Sequence, residues 1–115
     1  MRNTKINSDT PVYRIVCALC LDYDRRAEAL KAQEGDTNTL LTYRYLNESI
    51  DRAIAEVCEE AIRNEMRSDI GNGIGILRTK IYFISDGTYK VRKRKSIEAI
   101  ARNLHLIGEK GEREC

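Results

Sequence analysis

Apolar residues recur at three- and four-residue intervals through most of the chain, the spacing that gathers side chains onto one face of an α-helix. Val12, Ile15, Val16, Leu19, Cys20, Tyr23, Ala27 and Leu30 form the first such stripe. Thr10 precedes it as a capping residue and Pro11 suits a first helical turn, so the pattern predicts a helix from Pro11 to about Gln33. Glu34-Gly35-Asp36 ends it.

The second stripe, opening after Asp36 or Asn38, is the most regular: Tyr43, Leu46, Ile50, Ala53, Ile54, Val57, Cys58, Ala61, Ile62, Met66 and Ile70. Its polar face carries Glu48–Arg52 and Glu59–Arg63 at the i,i+4 spacing that supports an exposed helix. An unbroken helix there would reach on the order of 45 Å at 1.5 Å per residue. A small domain cannot cover a stripe of that length. The pattern therefore predicts a break near Asn38 to Arg44 or burial against a second subunit. The short connection between the two stripes predicts a long antiparallel αα-hairpin over residues 11–70. Gly71-Asn72-Gly73-Ile74-Gly75 then stops the helix. No strand precedes these glycines, and their spacing differs from that of a phosphate-cradling loop.

Residues 84–95, ISDGTYKVRKRK, admit two readings. Asp86-Gly87 suits a hairpin turn that would pair Ile84 with Tyr89 and Tyr82 with Val91. No third strand is foreseen to shelter such a ribbon, and two strands alone are marginal. The helical reading accounts for more positions. Ser85 caps, Asp86 lies where the helix dipole favours an acid, and Ile84 and Tyr89 stand where a hydrophobic staple would. Ile97, Ile100, Ala101, Leu104 and Ile107 continue the stripe to Gly108, giving a basic helix over 86–107. With a short helix over Ile76–Phe83 before it, residues 76–107 become a helix-turn-helix. The expected architecture is thus all-α: a long αα-hairpin followed by a C-terminal helix-turn-helix. A chain of 115 residues suits one domain, with residues 1–10 and 108–115 as flexible ends.

Charge changes this picture more than composition does. The chain is only +2 overall, yet residues 88–107 hold Lys90, Arg92, Lys93, Arg94, Lys95 and Arg102 against Glu98 alone. One concentrated basic segment in a near-neutral chain points to a local polyanion site, or to an ordinary solvated helix face. Projection around the helix puts Thr88, Arg92 and Lys95 away from the core and Lys90 toward it. The first three are candidates for base contact. Lys90, Lys93 and Arg94 are candidates for phosphate contact, with Arg78 and Lys80 beside them.

Other chemistries find little footing. Cys17-Ala18-Leu19-Cys20 forms a CxxC inside an apolar stripe, so these thiols, with Cys58, are expected to pack as core residues. One histidine, His105, and scattered cysteines do not make a zinc ligand set, and neither metal nor cofactor is expected. Glu56, Glu59 and Glu60 sit beside arginines on a helix face, so no catalytic group is expected either. No apolar run nears the ~20 residues that span a bilayer, which makes a cytoplasmic protein the expectation.

The stretch from Ile81 to Arg94, with Ile97-Glu98-Ala99-Ile100-Ala101-Arg102-Asn103-Leu104, resembles the end of small phage-encoded transcription regulators of the RinA/ArpU type. Ser85, Thr88-Tyr89, Arg92-Lys93-Arg94 and Ile100-Ala101-Leu104 match that pattern in order. The preceding Gly-Ile-Leu-Arg-Thr-Lys departs from it. The resemblance implies a helix-turn-helix similar to the sigma-factor region that reads the −35 promoter element. It implies double-stranded DNA as ligand and RNA polymerase as a neighbouring partner. The αα-hairpin would serve as a platform or a homodimer interface. The competing expectation is a non-catalytic helical adaptor or oligomerisation protein whose basic helix is only solvated.

Overall fold

The computed structural model describes residues 10–73 and 84–108, which are helical with no strand among them. The order is α1 (Pro11–Leu21), α2 (Tyr23–Ala32), α3 (Thr37–Val57), a 3₁₀ turn (Glu60–Ile62), α4 (Arg63–Asn72) and α5 (Asp86–Asn103). The expected all-α class holds over the described residues. The residues of the expected helix Ile76–Phe83, with Arg78 and Lys80, lie outside them.

Three helix starts follow their sequence signals. Thr10 accepts the Tyr13 amide at 3.2 Å, with Pro11 next to it in the first turn. Asp36 accepts the Thr39 amide at 2.8 Å. Ser85 accepts the Thr88 amide at 3.2 Å, so Tyr89 and Val91 are helical and the alternative hairpin does not form.

Both long helices are broken where no glycine or proline demands it. The first turns at Asp22, which ends α1 and begins α2. The second breaks at Cys58 and Glu59, well beyond the expected Asn38 to Arg44, where the backbone becomes extended before the 3₁₀ turn. Tertiary packing overrides propensity at both places. The second break turns α4 onto α1, so Ile62, Met66 and Ile70 join a core with Val16, Cys20, Ile50 and Ile54. Arg63 Nε donates to the Cys58 carbonyl at 3.0 Å, taking one of the acceptors left open at the end of α3. Residues 11–70 thus do not form one pair of long helices; within them α2 and α3 pack through Arg26–Asn47 and Tyr23–Asp51, pairs whose order runs antiparallel.

Helix α5 lies antiparallel to α3, its Ser96 hydroxyl 3.5 Å from the Cys58 thiol and its Asn103 amide donating to the Ser49 carbonyl at 3.3 Å. It stops at Asn103, short of the expected Ile107. His105 adopts a left-handed φ of 62°, while the Leu106 and His105 amides return to the Ala101 and Arg102 carbonyls. That closure satisfies the last turn without a glycine.

Candidate functional site

Helix α5 buries Tyr89, Ser96, Ile97, Ala99, Ile100 and Ala101, which fixes which of its basic side chains face outward. The decisive contact comes from α4. Asp69 is fully buried; the Tyr89 hydroxyl donates to its Oδ2 at 2.5 Å and Lys93 Nζ donates to its Oδ1 at 3.0 Å. Tyr89 and Lys93 stand one turn apart, so a single carboxylate clamps one edge of the helix. Burial, reinforced by the hydrogen bond to Asp69, raises the Tyr89 phenol well above its ordinary value and keeps it a donor. A buried carboxylate needs such partners, because desolvating an unpaired charge is costly.

The six candidate DNA-contact residues separate into two groups. Arg92 pairs with Glu59 beside the α3–α4 break, and Lys93 is drawn to Asp69; both are only partly exposed. Thr88, Lys90, Arg94 and Lys95 are exposed. The Thr88 hydroxyl accepts from Ser85 Oγ at 2.9 Å and so belongs to the cap as well as the surface. Projection misplaced Lys90, which is exposed rather than directed at the core. It also placed Arg92 on the outer face, whereas Arg92 lies on the flank toward α3. Val91, 40% exposed, is on the surface strip with Thr88 and Lys95.

Among the described residues, two concavities flank α5. On the α3 side a groove is lined by Glu56, Val57, Thr88, Val91, Arg92 and Lys95. On the α1 side a smaller cleft of about 250 Å³ is lined by Tyr13, Lys90, Lys93, Arg94 and Ile97. Sequence reasoning missed Tyr13 and Asp69 as neighbours of the basic helix. Tyr13 stands next to Val12 but outside the first apolar stripe, and Asp69 stands next to Ile70 but outside the second. The i,i+4 repeat of Tyr89 and Lys93 was the available hint that one buried acceptor serves both.

The described cysteines lie where the apolar pattern puts them. Cys20 and Cys58 are buried and Cys17 half-buried, none in a disulfide. Burial pushes the Cys20 thiol up to about 12. No group of three metal-ligating side chains occurs among the described residues. No described helix is long and apolar enough to cross a membrane. Comparison with family models, curated proteins and solved structures finds no match.

Proposed function

We propose that this chain is a sequence-specific DNA-binding protein that regulates transcription in a phage or mobile element, with α5 as its reading helix. The observation that supports this most is the state of α5. It is capped by Ser85, clamped by Asp69, and leaves Lys90, Arg94 and Lys95 exposed with no ion pair among the described residues. Cations held on a rigid surface helix without internal partners suit a polyanion, whose counterions they release on binding.

In this reading Thr88 and Lys95 approach base edges while other cations of α5 meet phosphates. Arg92 and Lys93 chiefly hold the helix in register. RNA polymerase is a candidate neighbour. Selection from a random-sequence duplex pool is expected to enrich one motif, and binding to it should weaken steeply with salt. A pool that emerges unenriched, with no salt-dependent retention, would sink the reading.

The second reading, a helical adaptor or homodimer, draws on Leu41 and Tyr45, exposed one turn apart on α3. Sedimentation distinguishes them. The adaptor predicts self-association that Leu41→Asp abolishes and no complex with duplex; the DNA reading predicts a complex that survives this substitution.

A further inference from the structure

The two flanks of α5 are unequal in charge, and this bears on how a duplex would lie against it. The α3 groove contains its own anions: Glu56 lines it and Glu59 pairs with Arg92. Glu59 thus neutralises Arg92 within the fold, and Glu56 shares the groove with Lys95 without pairing with it. Among the described residues the α1 cleft has no acid in its lining. Asp69, the carboxylate that Lys93 reaches, is fully buried and already engaged by Lys93 and Tyr89. Lys90 and Arg94, one turn apart on the rim, make no ion pair among the described residues. The acids nearest them along α5, Asp86 and Glu98, form none with them either.

Tyr13 completes the cleft from α1. Its hydroxyl interacts with the Cys17 thiol, a weak hydrogen-bonding partner that a phosphate oxygen would outcompete. Burial keeps this phenol protonated, hence able to donate. A neutral donor flanked by two cations is a common way for proteins to hold a backbone phosphate.

Resting on the reading of α5 as a DNA-binding helix, we propose that the sugar-phosphate backbone of the duplex seats in the α1/α5 cleft, on Lys90, Arg94 and the Tyr13 hydroxyl, and not along the α3 groove. The placement fixes which edge of the domain faces the DNA. It also assigns a DNA contact to α1, a helix that carries no basic run.

The test is fluorescence anisotropy of the full chain on one fixed duplex over a range of salt concentrations. Lys90→Ala and Arg94→Ala should each reduce the slope of log affinity against log salt by about one, the loss of one phosphate contact. Tyr13→Phe should weaken binding about tenfold at unchanged slope, because a hydrogen bond to a charged group is lost without a counterion. Arg92→Ala should leave the slope as it is. The placement is overturned if Arg92→Ala lowers the slope while Lys90→Ala and Arg94→Ala do not, if all three act alike, or if none acts although the duplex binds. A chain that binds no duplex at any salt ends the DNA reading itself, a different result from each of these.

Discussion

Arg26 and Asp69 are both charged, both almost wholly buried, and they hold the fold together over different spans. Arg26 works locally. Its Nε donates to Asn47 Oδ1 at 2.7 Å, its Nη2 to the Leu19 carbonyl at 2.5 Å and its Nη1 to Asp22 at 3.3 Å, filling the bend between α1 and α2 and fastening it to α3. Asn47 in turn donates to the Tyr23 carbonyl at 3.2 Å. Asp69 works at a distance, reaching Tyr89 and Lys93 in α5 across the intervening segment. One buried charge shapes the platform, and the other orients the helix that the platform presents.

The largest effect should therefore come from Arg26→Ala. It leaves Asn47 and the Leu19 carbonyl, both neutral acceptors, without their donor and removes a buried side chain's packing, at a cost of about 3–5 kcal/mol in all. Urea unfolding measures it, and a loss below about 1 kcal/mol would mean that Arg26 is not buried as described. Asp69→Ala should come next at about 3 kcal/mol, since it strands the Tyr89 hydroxyl and the Lys93 ammonium. Its signature is location. Amide exchange should quicken throughout α5 while α2 and α3 keep their protection. Uniform acceleration would show that Asp69 supports the whole core rather than seating one helix.

Gly71 joins the two regions, lying two residues beyond Asp69 in α4. A Cβ built there would fall 2.8 Å from the Leu21 nitrogen and 2.9 Å from the Leu21 Cα, beside the bend that Arg26 fills. Those are backbone atoms, which cannot rotate away. Gly71→Ala should cost about 1–3 kcal/mol by overpacking, although alanine favours helix. Gly73, whose φ of 68° closes α4, leaves open space for a Cβ among the described residues, so Gly73→Asn should cost only the smaller strain of a left-handed asparagine by the same assay. Equal losses at the two glycines would contradict close approach as the reason for Gly71.

Much of this architecture was legible in the chain. Thr10 and Ser85 announced helix starts, and Asp36 was one of two candidates with Asn38, because capping is local chemistry, decided within four residues. The core stripes were legible for the same reason: Ile50, Ile54, Ile62, Met66 and Ile70 fall at helical spacing and are all buried. The breaks at Asp22 and Cys58 were not, since each exists to let α1 and α4 meet, and no residue at either place forbids continuing. The site was half legible. The basic run and its cap stood out, but Arg92 and Lys93 read like their neighbours Arg94 and Lys95 until Glu59 and Asp69 arrived from other helices. Arg26 was hidden in the same way, inside Asp24-Arg25-Arg26, where nothing in the residue types sets it apart from Arg25.

Acid and alkali should separate the two regions with smaller effects. Tyr89 holds its proton more tightly in the fold than the ordinary 10.0, so its contribution is complete below that pH and is lost as pH rises through the higher folded value. The urea midpoint of the wild type should fall more steeply above pH 10 than that of Tyr89→Phe. Asp22 is the opposite case and the smallest. Hydrogen bonds from Arg25, with Arg26 adding to them, hold its carboxyl below the ordinary 3.8. Its contribution is present above 3.8 and is lost as pH falls through the lower folded value. Because the Asp22 side chain is 40% exposed, solvent screens much of the gain. The stability gap between the wild type and Asp22→Asn should be modest at neutral pH and close in acid; a gap that stays constant would mean that Asp22 serves the bend by shape rather than by charge.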